Sequence, residues 1–346
     1  MNTPNRAFRQ YWTCFFVCLV LLLTGCAERE IRVHFEQAET YRQQGNIDKA
    51  IEEYQAILAL DPNANDARNN LGLLYKEKGR FAEAIAEYRE ALSVKPDFVE
   101  AHYNLGVAYS AWGFPDSAEA AYKRAIQHDG DHVEAYNNLG VVYAIKSRYK
   151  EALEMYRKAI QIKPEYADTY NNLGILYSYQ GWFEQAIRQY EKAIQHKPEF
   201  VDALNNLGSA YAELEQYEKA ISYFDRALRL NPQHELARTN RNQAGQLLGE
   251  TRTRRAAGEM RASHILVKTE AEARDLLQKL QDGASFEALA RMHSIDPSAQ
   301  YDGDLGGFMP GTLMPAFEQA VQNTKPGKIG GPFQTPAGYH IIKRMY

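Results

Sequence analysis

The sequence predicts a multidomain protein in which an all-α helical solenoid precedes a smaller α+β domain. At 346 residues the chain is too long for one ordinary domain. Its middle part repeats a pattern every 34 residues, which is typical of stacked helical hairpins. Its C-terminal part instead carries two short, β-branched apolar runs bounded by glycine and proline, with helix-like segments between them. Such runs predict strands.

Residues 1–25 are predicted to be a signal peptide. Two arginines precede a mostly apolar run, 12–23, that is too short to cross a ~30 Å hydrocarbon core, which needs roughly 20 helical residues. The run ends in Leu-Thr-Gly followed by Cys26, which resembles a bacterial lipobox. The resemblance implies cleavage before Cys26, its acylation, and a lipidated tether over residues 26–30. An ordinary secretory signal and an uncleaved anchor are the alternatives.

The residue after the lipobox bears on location. Ala27, rather than an aspartate, follows the cysteine, which resembles outer-membrane sorting in Gram-negative lipoproteins. The resemblance implies a protein held by its lipid anchor at the periplasmic face of the outer membrane.

Cysteine content and charge exclude two classes of function. Cys14 and Cys18 leave with the signal peptide, and a lipid would block Cys26, so we expect neither a free thiol nor a disulfide. Catalysis by a cysteine nucleophile is therefore excluded. The net charge of −4 and the lack of a basic stripe argue against a nucleic-acid partner.

Residues 31–234 form six repeats of 34 residues. Five of them contain Asn-Leu-Gly in the same register, with a tyrosine three residues after the glycine, and prolines recur near the repeat ends. This pattern resembles the tetratricopeptide repeat. Small residues let the two helices of each repeat approach closely, aromatic rings fill the gaps, and proline ends the second helix.

The asparagine of each Asn-Leu-Gly triplet lies on the helix face opposite the leucine, glycine and tyrosine, because a helix turns by about 100° per residue. The face that carries the asparagines resembles the concave face of tetratricopeptide arrays. An amide offers both a donor and an acceptor to an extended peptide, so we expect a protein partner or client there. The alternative is that these residues only bond local groups. The five are Asn70, Asn104, Asn138, Asn172 and Asn206.

The sequence after the repeats divides into three parts. Residues 235–248 are predicted to be a capping helix, because Arg238 and Arg241 stand where a repeat would bury apolar groups. Residues 249–258 are predicted to be a polar linker, and 259–346 the C-terminal domain.

Two histidines lie on the strand-like runs at opposite ends of this domain. His264 and His340 become neighbours only if those strands pair. A single strand histidine is more commonly a core residue, whereas two of them near hydroxyl and carboxylate groups indicate a site.

Five ordered blocks of the domain resemble a parvulin-type peptidyl-prolyl cis/trans isomerase. The resemblance implies a four-stranded antiparallel sheet with helices. The blocks are Ser263–Val267, Ser294–Pro297, Gly303–Phe308, Pro315–Phe317 and Gly338–Ile342.

The resemblance implies an apolar pocket for the substrate proline. Leu313 and Phe317 would form its floor, with Leu305 beside them. Rotation about an Xaa–Pro bond crosses a barrier of ~18–20 kcal/mol because it destroys amide resonance. No bond is broken, so the reaction requires no nucleophile, metal or cofactor.

The resemblance also implies a polar group beneath the pocket. His264 and His340 would face each other, oriented by Thr335, and Asp296 would take the polar position that is a cysteine in some parvulins. The histidines would either transfer protons or fix the geometry of the sheet.

The substrate class follows from a missing basic cluster. Phosphate-directed parvulins carry one after the first strand, but residues 268–272 here contain one lysine and two glutamates. We therefore expect an extracytoplasmic foldase acting on unfolded, unphosphorylated, proline-containing polypeptides. The alternative is a scaffold or assembly lipoprotein whose repeats bind a partner and whose isomerase fold only holds chains.

Overall fold

The computed structural model describes residues 27–346. The predicted signal peptide and the predicted lipidation site, Cys26, lie outside them. Within 27–346, no helix combines the length and the apolar character needed to cross a bilayer. The chain divides into two compact units, the first ending at Thr169 and the second beginning at Tyr170.

The first unit consists of antiparallel helical hairpins, in which the two helices of each repeat pack against each other. The pairing needs glycine on the first helix, because a β carbon on Gly72 would lie 2.6 Å from the buried ring of Tyr88. The helices are α1 (27–43), α2 (Ile47–Leu60), α3 (Asn65–Glu77), α4 (Phe81–Val94), α5 (Val99–Trp112), α6 (Pro115–His128), α7 (Val133–Ile145) and α8 (Tyr149–Ile162), followed by the start of α9 (Ala167–Tyr179).

The second unit continues the repeats and ends with the α+β domain. Its repeat helices are the rest of α9, α10 (Phe183–His196), α11 (Val201–Glu213) and α12 (Tyr217–Leu230), and α13 (Glu235–Ala256) packs on α12. These helices confirm the predicted all-α solenoid.

Helix α13 is longer than the sequence suggested. It was expected to end at Leu248 and to give way to a polar linker over 249–258, yet it continues to Ala256. Two threonine hydroxyls, of Thr251 and Thr253, bond back to carbonyls one turn earlier, at 2.8 and 3.0 Å. Arginines in the last turn also suit the negative end of the helix dipole. The helix ends only before Gly258, where φ is +84°.

The α+β domain contains a four-stranded sheet in the order β2-β1-β4-β3, with every neighbouring pair antiparallel. This confirms the predicted fold. Its elements are β1 (Met260–Val267), α14 (Glu270–Gln281), α15 (Phe286–His293), a 3-10 turn (Pro297–Tyr301), β2 (Asp304–Phe308), α16 (Pro315–Asn323), β3 (Ile329–Thr335) and β4 (Gly338–Arg344).

The two faces of the sheet bury different helices, because alternate residues of a strand point to opposite sides. Ile265 and Ile341 pack under α14 and α15. Ala262 and Ile342 pack on the other side, against α16. By the same alternation both histidines face α16.

Candidate active site

Strand pairing brings the two histidines together. β1 and β4 are antiparallel, with His264 opposite Ile342 and His340 opposite Leu266. The histidines are thus diagonal neighbours on one face. Their rings stack with centroids 5.3 Å apart, and their Nδ1 atoms are 3.1 Å apart. Both are almost fully buried, at 4% and 2% exposure.

A hydroxyl group binds the far side of His340. Oγ1 of Thr335 lies 2.7 Å from Nε2 of His340 and accepts the N–H of Ala337 at 3.1 Å. Because this oxygen already accepts one hydrogen bond, its own proton is available to Nε2. His340 then carries its proton on Nδ1 and donates it to Nδ1 of His264. Burial and the neighbouring His264 lower the pKa of His340 to about 4, so it is neutral at physiological pH.

Asp296 completes the row of polar groups. Nε2 of His264, which carries the remaining proton, lies 3.1 Å from Oδ1 of Asp296. The contact is not aligned as a hydrogen bond, so it acts as a close attraction between an N–H dipole and a carboxylate. Burial raises the pKa of Asp296, but hydrogen bonds from Ser298 and the contact with His264 outweigh it and hold this pKa below its ordinary value.

The loop that carries Asp296 is attached to β1. Oγ of Ser294 accepts the N–H of Leu266 at 3.1 Å, and the N–H of Ile295 donates to the carbonyl of Leu266 at 2.9 Å. Gly303 closes the other side with φ of +79°, where a β carbon would lie 2.3 Å from the carbonyl oxygen of His264. The glycine of this turn is therefore required by the close approach of two backbones.

The three apolar residues predicted to bind proline belong to one cluster. Leu305 and Leu313 are half-buried and pack on the cluster that contains Phe317. The ring of Phe317 stands edge-on to both imidazoles, with centroids 5.4 Å from His264 and 5.5 Å from His340. The structure therefore brings the predicted apolar and polar groups into direct contact.

Phe333 is a member of the site that the sequence analysis missed. Its ring stacks on His340 at 5.2 Å and 15°, and meets Phe317 edge-on at 5.8 Å. Phe333 lies opposite His340 in the pairing of β3 with β4, a register that no local sequence motif indicates.

Glu318 is the second missed residue. Its buried carboxylate accepts the backbone N–H groups of Gly311 at 2.8 Å and Leu313 at 2.7 Å. These bonds lower the pKa of Glu318. The loop that carries Leu313 is thus fixed by a side chain from the first turn of α16.

No cluster of three or more histidine, cysteine, aspartate or glutamate residues suited to a metal ion occurs within the described part of the chain.

The five asparagines predicted to bind a peptide on the repeats are half-buried. Amide donors of four of them bond groups of the neighbouring repeat at 2.9–3.3 Å: Asn70 to Tyr54, Asn104 to Asn69, Asn138 to Tyr103 and Asn206 to Asn171.

Family comparisons agree with this division of the chain. Residues 256–346 match the family of PPIC-type PPIase domains, or rotamases. Tetratricopeptide-repeat families match residues 38–113, 97–199 and 171–235.

Two curated relatives each match about a quarter of this chain. Foldase protein PrsA 2 of Bacillus anthracis is 51% identical over 86 residues, which are 25% of this chain and 30% of that protein. Chaperone SurA of Nitrosospira multiformis is 45% identical over 91 residues, or 24% and 21% of the two chains. This chain therefore spans less than a third of the length of either relative.

The repeats resemble a solved structure. The match to the crystal structure of PilW, a type IV pilus biogenesis factor, covers 60% of this chain and 97% of the PilW chain, with a TM-score of 0.55 and 19% sequence identity. At this identity the likeness shows the fold alone. The chain is thus a tetratricopeptide-repeat protein with a C-terminal PPIC-type peptidyl-prolyl isomerase domain.

Proposed function

We propose that the C-terminal domain catalyses cis/trans isomerisation of Xaa–Pro bonds in unfolded, unphosphorylated polypeptides. The observation that carries this proposal is the contact between an apolar aromatic cluster and a buried histidine pair. Phe317 and Phe333 offer ring faces and edges to a proline, and His264 and His340 lie in contact with those rings. The family match of residues 256–346 supports the same reaction.

The chemistry follows from the barrier to rotation. In the transition state the prolyl amide is twisted and its carbonyl has lost conjugation. An apolar pocket that holds the proline ring favours this state, because removing water from the amide destabilises the planar, more polar form. The histidines supply a fixed support beneath the pocket rather than a proton, since His340 is neutral and both of its ring nitrogens are hydrogen-bonded.

The substrate class rests on the charge of the segment after β1. Residues 268–272 carry Glu270 and Glu272 and only one lysine. A phosphoserine before the proline would meet repulsion there instead of a cluster of arginines.

A peptide assay on the full chain tests the activity. The cis-to-trans rate of an Ala-Pro tetrapeptide should rise in proportion to enzyme concentration, and a phosphoserine-Pro tetrapeptide should react more slowly than its serine counterpart. A folded chain that accelerates neither peptide would contradict the proposal and favour the scaffold alternative.

The protein is further proposed to act outside the cytoplasm, at the periplasmic face of the outer membrane, held by a lipid on Cys26. The lipobox-like residues before Cys26 support this location. Acyl chains then supply the membrane affinity. Cys26→Ser should abolish labelling by fatty acid and release the protein from the membrane fraction. A variant that stays membrane-bound, beside a wild type that takes up no fatty acid, would rule the anchor out.

The repeats are proposed to dock a client or partner protein on their concave face. Stacked helical repeats of this kind present extended concave surfaces. Binding there would raise the local concentration of a long client at the isomerase domain, without any additional catalytic residue.

A further inference from the structure

The turn inside the sixth repeat carries a charged residue where four of the other five repeats have glycine. One residue of this turn has a positive φ, and in the sixth repeat it is Glu215, at +56°. Residues with a β carbon are unfavourable in that region. At this position Glu215 therefore adopts a conformation that glycine adopts more readily. The equivalent residues are Gly45, Gly79, Gly113, Ser147 and Gly181.

The side chain of Glu215 contacts the isomerase domain. Oε1 of Glu215 lies 2.6 Å from Nη1 of Arg261, on β1. The same guanidinium binds the carboxylate of Asp304 twice, from Nη2 at 2.5 Å and from Nε at 3.3 Å. The three side chains are 21%, 24% and 30% exposed, so water screens these pairs less than pairs on the open surface.

Asp304 connects this group to the proline pocket. It is the first residue of β2, and its Oδ1 accepts the N–H of Gly306 at 2.9 Å. Between them lies Leu305, which packs on the cluster of Phe317. The orientation of Asp304 therefore sets the backbone that carries one wall of the pocket.

A second ion-pair group joins the fifth repeat to the same domain. Nζ of Lys343, on β4, lies 2.7 Å from Oε1 of Glu287 and 3.8 Å from Oε1 of Glu184 at the start of α10. Two separate contacts, on β1 and β4, thus fix the domain against the repeats of the second unit.

We propose that Glu215 is a positioning residue for the isomerase, and that the turn of the sixth repeat orients the pocket wall at Leu305 through Arg261 and Asp304. The repeats then contribute to the active site itself, so their effect extends to substrates as short as a tetrapeptide. This inference rests on the proposed isomerase function.

Two substitutions at one position, made in the full chain, test the link. Glu215→Gln removes the charge and keeps the shape, whereas Glu215→Gly removes the carboxylate and gives the turn the residue that its backbone prefers. Both should lower kcat/KM for a tetrapeptide roughly 2- to 30-fold. Both should also speed amide hydrogen exchange over residues 304–308, although the glycine variant should unfold at a temperature no lower than wild type.

Glu218→Gln is the matched control. Glu218 lies three residues further on, and its carboxylate pairs with Arg252 at 3.4 Å, with both side chains more than half exposed. This variant should keep the wild-type kcat/KM and exchange rates.

The outcomes separate this inference from the proposed function. Wild-type kcat/KM and exchange in both Glu215 variants of an active chain would overturn the inference. A wild-type chain without isomerase activity would instead defeat the proposed function, and exchange over 304–308 would then decide alone whether Glu215 orients this segment.

Discussion

The Nδ1 atoms of His264 and His340 lie 3.1 Å apart, so one of the two must carry the proton that the other accepts. Thr335 decides which. Its oxygen accepts the N–H of Ala337, and we assign its hydroxyl proton to Nε2 of His340, because this arrangement leaves the Nε2 proton of His264 facing the carboxylate of Asp296. The proton between the imidazoles belongs to His340. Hydrogen bonds are then donated from Thr335 to His340 and from His340 to His264.

Replacement of Thr335 by valine tests this direction. The change is nearly isosteric but leaves Nε2 of His340 and the N–H of Ala337 without their partner in a buried site. We expect the free energy of unfolding to fall by about 1–3 kcal/mol. Imidazole ¹⁵N shifts should show that His340 no longer keeps its proton on Nδ1.

The control for that variant is Thr253→Val. Thr253 is exposed and its hydroxyl only bonds back to Gly249 along α13, so the free energy of unfolding should change by no more than about 0.5 kcal/mol. An unchanged His340 tautomer in the Thr335 variant would contradict the assigned direction.

The stability of the domain should depend on pH through His340. Its pKa is about 4 in the folded chain and 6.5 ordinarily. Between these values the unfolded chain binds more protons at this position, so the free energy of unfolding falls as the pH is lowered from 6.5 towards 4. Above pH 6.5 both states are neutral there and His340 adds no pH dependence.

An NMR titration of the His340 Hε1 resonance measures this pKa directly, and urea unfolding at several pH values measures its consequence. A His340 that titrates near 6.5 would show that the imidazole is not held neutral by its surroundings.

Phe317→Ala should cut isomerase activity by opening the proline pocket. The ring contacts both imidazoles and Phe333, so its loss removes the apolar wall and costs about 3–5 kcal/mol of stability. Activity is therefore measured at a temperature where circular dichroism shows the variant folded. Val321→Ala is the control, since Val321 is buried in the same cluster. It should lower stability while kcat/KM stays near the wild-type value, and an equal loss in both variants would mean that only folding is affected.

The fold could be predicted from the sequence because its signals are local or ordered along the chain. The 34-residue period specifies the hairpins, and each triplet glycine faces an aromatic ring of the same repeat, as Gly72 faces Tyr88. The strands that carry His264 and His340 were recognisable from apolar runs, and antiparallel pairing then places the histidines together.

The parts that were missed depend on contacts between distant segments. Phe333 reaches the site only through the register of β3 on β4, and Arg261 links a repeat turn to β2. The polar stretch 249–258 resembled a linker because its composition is charged. Its hydrogen bonds within α13 and the position of Gly258 place the end of the helix later.

Glu318→Gln should weaken substrate binding. The carboxylate accepts two backbone N–H groups of the loop before α16, and an amide in its place directs N–H groups at one of those donors. Because this loop carries Leu313, we expect KM to rise and kcat/KM to fall roughly ten-fold, equivalent to ~1.4 kcal/mol. Glu318→Asp, which keeps the charge on a shorter side chain, should retain more activity than the glutamine variant. If both variants lost only thermal stability, Glu318 would have no part in shaping the pocket.

Substitution of Asn138, Asn172 and Asn206 by alanine tests docking on the repeats. Asn138 and Asn206 already donate to Tyr103 and Asn171, so a client would have to bind beside these bonds or replace them. If the repeats dock the client, turnover of a long unfolded chain should fall roughly ten-fold or more, because the local concentration of its prolines drops. A tetrapeptide is too short to gain from docking and should react equally fast with variant and wild type. Equal losses on both substrates, with a lowered unfolding temperature, would show damage to the array. No loss on either would assign the asparagines to the packing of the repeats alone.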